Sequence, residues 1–137
     1  MKSAHYFRVP ATVAFGNGAS GDVGLQARQH GMSRALLVTD ARLIRTGLHS
    51  SLVASLDEAG VGYEIFDEVA MEPTLAYVQD GLDRYRRAEC NGVISLGGGS
   101  AIDTGKAIAV MTTNPGTIAD YQGIDQLTQP GCPLIAV

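Results

Sequence analysis

Residues 93–106 read Val-Ile-Ser-Leu-Gly-Gly-Gly-Ser-Ala-Ile-Asp-Thr-Gly-Lys, a strand, a turn and a helix start within fourteen residues. Residues 93–96 form a short apolar run with β-formers, the pattern of a parallel strand buried on both faces. Gly97, Gly98 and Gly99 then make a turn without Cβ atoms, so a ligand can approach the backbone closely. Ser100 is the expected N-cap, and Asp103 stands three residues on, at the capping-box place, with Asp for the usual Glu or Gln. A helix N-terminus with free N–H groups beside a glycine turn is an anion site, and its natural anion is a phosphate or pyrophosphate.

The rest of the chain alternates between strand and helix patterns. Residues 12–15 form a short strand candidate, and 20–30 a helix with a thin apolar stripe of Val23 and Ala27. Residues 35–40 are a strong buried-strand pattern. Leu48, Leu52 and Leu56 recur every four residues, predicting an amphipathic helix over 48–59 that Gly60 ends. A strand is predicted over 63–66. Leu75, Val78, Leu82 and Tyr85 share one helical face, with Pro73 near the helix start. The helix after the glycine turn is predicted over 101–112. Residues 114–133, rich in Gly, Pro, Asp and Gln, read as loop, and 134–137 as a last strand. This β-α alternation predicts an α/β fold: a parallel sheet flanked by helices, a Rossmann-like nucleotide-binding domain over residues 1–137. Ligands of open parallel sheets sit at the carboxyl ends of the strands. The loop after Val137 should therefore belong to the site, and the chain is expected to be the amino-terminal piece of something larger.

There are two candidate phosphate loops. Gly16-Asn17-Gly18-Ala19-Ser20-Gly21 is a formal G-x-G-x-x-G, and Asp40 follows 19 residues later at the end of the next strand, as the dinucleotide fingerprint requires. Gly97-Gly98-Gly99-Ser100 fails that pattern at Ile102, and it fails the P-loop pattern because Ala107 follows Lys106. Its strand and helix are nonetheless the better defined. Asp22 and Asp103 each oppose an anion in their own loop, so charge does not separate the two. Lys106 can offset Asp103 and reach toward a phosphate, or simply pair with Asp103 at i,i+3 on a solvated face. Asp40 can accept bonds from the two ribose hydroxyls of adenosine, which favours NAD over NADP, or cap a helix over 41–46. The two roles of Asp40 are compatible.

Composition excludes other classes. A net charge of −4 argues against nucleic acid as the main partner. Arg84, Arg86 and Arg87 are the only basic cluster and read as a solvated helix face. No apolar run approaches a membrane span, and the N-terminus has no signal-peptide core. Cys90 and Cys132 lie far apart, with no metal spacing and no nearby His, so both read as packing residues in a reduced, cytoplasmic setting.

The run from Gly97 to Ala107 resembles the signature of the iron-dependent (group III) alcohol dehydrogenases, and the resemblance extends along nearly the whole chain. Phe15-Gly16-Asn17-Gly18 is similar to the family's opening strand and turn. Leu37-Val38-Thr39-Asp40 with Leu43 and Gly47-Leu48 is similar to its second strand and following helix. Glu72-Pro73-Thr74 stands at its x-Pro-Thr turn, where many members have Asn before the Pro. Asn114-Pro115 and Asp120-Tyr121 fit the segment after the signature.

The resemblance implies that pyrophosphate rests on Gly98, Gly99 and Ser100, that Asp40 takes the adenosine ribose, and that Asp103 and Lys106 stand nearby. The first glycine loop is then mainly structural. It further implies an NAD-dependent dehydrogenase whose divalent metal, iron or zinc, is held by one Asp and usually three His on an all-helical second domain. None of those ligand positions is matched in this chain. His5, His30 and His49 lie outside the motifs and read as surface residues. No residue of the chain is expected to be catalytic. The expected partners are a small-molecule alcohol or its aldehyde or ketone and further copies of the chain in a homo-oligomer, with no nucleic acid and no membrane. A glycerol dehydrogenase or dehydroquinate synthase-like relative, or a non-catalytic nucleotide-binding module, are the alternatives.

Overall fold

The structure is a computed structural model that describes residues 12–137. Its centre is β1 (Arg34–Val38), with Ala35, Leu36, Leu37 and Val38 completely buried. An uninterrupted apolar strand of this kind needs cover on both faces, and a parallel sheet with helices on each side provides it. β2 (Gly62–Phe66), β3 (Gly92–Ser95) and β4 (Leu134–Ala136) complete a four-stranded sheet in the order β2-β1-β3-β4. Every pairing is parallel, with Leu37 opposite Ile65 on one side and Ile94 on the other.

Successive side chains of each strand serve opposite cores. Ala35, Leu37 and Ile94 pack with Val23 and Ala27 of α1 (Val23–Gln29) and Leu52 and Leu56 of α3 (Ser50–Ala59). Leu36, Val38 and Val93 pack with Val78 and Leu82 of α4 (Leu75–Arg87) and Ile108 of α5 (Gly99–Met111). The remaining elements are α2 (Ala41–Thr46), between β1 and α3, and two 3-10 turns, Ala19–Asp22 before α1 and Ile118–Tyr121 in the long connection to β4. The predicted parallel α/β sheet is therefore present.

The chain leaves β1 toward β2 on one side, then returns through α4 to place β3 on the other. The direction of winding reverses between β1 and β3. In open α/β sheets the crevice at the carboxyl ends of two such strands is where ligands bind.

Four expectations need correction. Residues 12–15 form no strand. Neither sheet edge pairs with them, and Val13 and Phe15 are exposed. α3 starts later than predicted, and Leu48 lies outside it and exposed, so only Leu52 and Leu56 carry the stripe into the core. Arg84 is not a solvated charge: its guanidinium donates to Ile65 O at 3.3 Å and Glu68 Oε1 at 3.1 Å, covering the open edge of β2. His49 is half-buried, whereas His30 is exposed; His5 lies outside the described residues.

Candidate functional site

At the end of β3, Gly97 turns with φ +141°, and a Cβ there would stand 3.2 Å from both Ala101 Cβ and Leu43 Cδ1. This glycine is required by backbone conformation and by packing. Gly98 and Gly99 are not. Gly98 has φ −77° and a Cβ on either residue would meet nothing within 4 Å. Neither conformation nor neighbours explain two exposed glycines in sequence. They leave the backbone N–H groups of the turn open to something outside the protein.

The helix begins earlier than the sequence predicts. Gly98, not Ser100, is the N-cap of α5, and no side chain caps it. Asp103 does not fold back in a capping box. It lies beyond the first turn and meets Lys106, with Nζ to Oδ1 at 3.4 Å on an exposed flank. Gly99 and Ser100 continue the helical path of Ala101 backward, and Gly98, extended at φ −77° and ψ −170°, marks where it begins. Gly97 N–H donates to Val137 O and Ile102 N–H to Gly98 O. Among the described residues no acceptor meets the N–H groups of Gly99, Ser100 or Ala101. A 13-residue helix thus presents a bare N-terminus at the carboxyl edge of the sheet, beside the crevice between β1 and β3.

α5 can stand this close to β3 because residue 105 is glycine. A Cβ on Gly105 would fall within bonding distance of Ser95 Oγ. Close helix–strand packing is the task of the third glycine in a dinucleotide fingerprint; here it sits six residues past Gly99. A glycine inside an otherwise helical apolar segment was the available sequence signal for it.

Asp40 occupies the other wall of the crevice. Its Oδ1 accepts from Arg42 N–H at 2.8 Å and Leu43 N–H at 3.0 Å, capping α2. Arg42 Nε also lies 3.7 Å from the same oxygen. Oδ2 has no partner among the described residues. One carboxylate oxygen therefore holds the helix while the other is left without a partner among the described residues, so the cap leaves capacity for a second role. Leu43, anchored by Asp40, is the same residue that touches the Gly97 turn, and this contact joins the two walls.

The rival loop is built differently. Ala19–Asp22 form a 3-10 turn, and N–H groups of Ala19, Gly21, Val23 and Gly24 go to Gly16 O, Gly18 O, Ser20 O and Ser55 Oγ. These donors are consumed inside the protein. Gly24 serves packing: a Cβ on it would fall within bonding distance of Ser55 O, so it sets how closely α1 approaches α3. Within the fingerprint match at Gly16, the N–H groups of Ala19 and Gly21 are thus bound inside the protein.

Among the described residues, no three His, Cys, Asp or Glu side chains converge as metal donors. Cys90 and Cys132 both pack into the α4–α5 core. Burial pushes the Cys90 thiol up to about 11 and raises Cys132 as well, so both stay neutral at pH 7. An apolar cleft of about 320 Å³ between α4 and the end of α5 is lined by Leu75, Val78, Leu82, Met111 and Ile118 and includes neither Asp40 nor the turn. Among the described residues no helix is long and apolar enough to cross a membrane.

Residues 10–137 match the family described as iron-containing alcohol dehydrogenase. The chain belongs to this family. It is 37% identical over 131 residues to alcohol dehydrogenase 4 of Schizosaccharomyces pombe, covering 96% of this chain and 31% of that enzyme. Identity is also 37% over 131 residues to the NAD-dependent methanol dehydrogenase of Bacillus methanolicus, covering 96% of this chain and 34% of that one. The crystallised alcohol dehydrogenase from Oenococcus oeni superposes with a TM-score of 0.91 at 33% identity, over 97% of this chain and 35% of that structure. The chain thus spans about a third of the length of these members. For the family's metal, the described residues supply no donor set. For a dinucleotide they supply an uncapped helix end, two glycines open to solvent and a carboxylate oxygen across the crevice.

Proposed function

We propose that residues 1–137 form the dinucleotide-binding domain of an NAD-dependent alcohol dehydrogenase. The single observation that carries this reading is the bare α5 N-terminus at the β1–β3 reversal, reached through two glycines that the protein itself does not require. The backbone N–H groups of Gly99, Ser100 and Ala101 hold the pyrophosphate, with Gly98 and Gly99 leaving room for its oxygens. Oδ2 of Asp40 accepts from the adenosine ribose hydroxyls while Oδ1 keeps α2 in place. Asp103 and Lys106 stay a pair on the flank of the same helix, where Lys106 adds a positive charge near the phosphates. NAD, when bound, supplies a hydride acceptor or donor at C4 of its nicotinamide, toward a small alcohol or the corresponding aldehyde or ketone. The chain's own part is orientation and electrostatics. In the NAD-dependent methanol dehydrogenase the name itself records the cofactor, which supports NAD as the preferred dinucleotide. The neutral, packed cysteines suit a reducing compartment, which supports a cytoplasmic enzyme.

Calorimetric titration of the chain with NAD tests this directly. Saturable binding that ADP-ribose reproduces is the expected result. A folded chain that takes up neither ligand would sink the reading.

A further inference from the structure

The wall of the crevice that carries Asp40 also carries a cation. Arg42 is in the first turn of α2, two residues past the acid. Its backbone N–H is tied to Asp40 Oδ1 at 2.8 Å, which fixes where the side chain starts. The side chain itself is 78% exposed, with Nε 3.7 Å from that same oxygen. Its Nη1 and Nη2 atoms have no hydrogen-bond partner among the described residues. An ion pair this exposed is weak and does not immobilise the guanidinium. Of the two acids that follow β2, Asp67 and Glu68, Glu68 pairs with Asp40 through the backbone, and its carboxylate is held by Arg84 at 3.1 Å.

A phosphate on the adenosine 2′-oxygen would lie against Asp40 if Oδ2 accepts from the ribose hydroxyls. Contact with a carboxylate repels it. Within reach is a guanidinium with two uncommitted nitrogens, the geometry that binds phosphate bidentately. An Arg near the ribose acid is how dinucleotide sites accommodate a 2′-phosphate. We propose that Arg42 is a second specificity-determining residue of this site, a ligand for the 2′-phosphate of NADP held in check by Asp40. The chain then binds NADP as its weaker dinucleotide, and neutralising Asp40 alone brings NADP to at least parity with NAD. This rests on the reading of Asp40 as the ribose acid.

The test is a cycle of four proteins: wild type, Arg42→Ala, Asp40→Asn and the double variant. Asn keeps an acceptor at the N-cap, so α2 retains its start, and thermal melts confirm that each variant is folded. ADP-ribose and 2′-phospho-ADP-ribose are titrated into each. Arg42→Ala should weaken the phosphorylated ligand about tenfold in the Asp40→Asn background, as loss of a bidentate charge contact implies, and leave ADP-ribose within about twofold. Equal weakening of both ligands makes Arg42 a structural residue and overturns the proposal, as does no change in either. If Asp40→Asn leaves the ratio of the two ligands unmoved, the ribose role of Asp40 fails, and the Arg42→Ala comparison in the wild-type background still decides Arg42 by itself. A folded wild type that binds neither ligand removes the cofactor reading and this proposal together.

Discussion

The two glycine turns of this chain resemble each other in sequence and differ in what their donors do. In the turn at Gly16, backbone N–H groups of Ala19, Gly21, Val23 and Gly24 all meet acceptors within the protein. In the turn at Gly97, the N–H groups of Gly99, Ser100 and Ala101 meet none among the described residues. The first matches the written dinucleotide pattern and the second does not. Backbone donors at a helix N-terminus rather than glycine spacing hold a phosphate, so the turn that opens the uncapped 13-residue α5 is the binding candidate. The glycines divide in the same way. Gly24 is glycine because a neighbouring helix needs the space; Gly98 and Gly99 are glycine although no neighbour does.

This contrast can be broken by substitution. Gly24→Ala should cost about 1–3 kcal/mol of stability, because its Cβ collides with the backbone carbonyl of Ser55 and the helices must part. A thermal melt reads this, and an unchanged midpoint would show that the α1–α3 contact relaxes freely. Gly99→Val should leave stability within about 0.5 kcal/mol, since its side chain enters open space. It should nonetheless lower affinity for ADP-ribose at least about tenfold, or about 1.4 kcal/mol, by occupying the room over the free N–H groups. Affinity that survives Gly99→Val would move the pyrophosphate elsewhere.

Alkali probes the interior behind the second turn. Tyr85, Cys90 and Cys132 all share the α4–α5 core, and burial raises each above its ordinary value. A group whose folded pKa is raised contributes stability that is fully present below its unfolded pKa and lost as pH rises through the folded one. For Cys90 that window runs from 9.0 to about 11. The melting temperature should therefore fall progressively across it, and Cys90→Ser should flatten the slope. The smallest expected effect is at Gly21→Ala, in the first loop. Nothing lies within 4 Å of the added Cβ, so both stability and ADP-ribose affinity should stay as they are. A loss of affinity there would return the Gly16 loop to candidacy.

Much of the fold is legible in the residues. The apolar run at 35–38 demands a doubly covered strand, and it is the completely buried centre of the sheet. Thr74 and Gly60 punctuate α4 and α3 through a side-chain cap and a left-handed residue. Residues 12–15 misled because β-forming residues make a strand only where a partner offers a ladder, and neither edge of this sheet pairs with them. Ser100 misled because capping preference is a local tendency, and the helix starts earlier, at Gly99, with Gly98 as an N-cap that has no side chain to offer. Arg84 misled because charge on a helix reads as solvated until the neighbouring strand edge is known.

By itself the sequence determined the alternation of strands and helices from residue 34 onward, the family, and the candidate cofactor residues, Asp40 and the glycine run. Those follow from periodicity, turn chemistry and residue identity, which are local. Only the tertiary structure decided that the Gly97 turn opens α5 with no side-chain cap, that one oxygen of Asp40 caps α2 while the other is left over, and that Arg42 stands beside it. These depend on which groups find partners from distant parts of the chain, and hydrogen-bond satisfaction is a property of the whole fold.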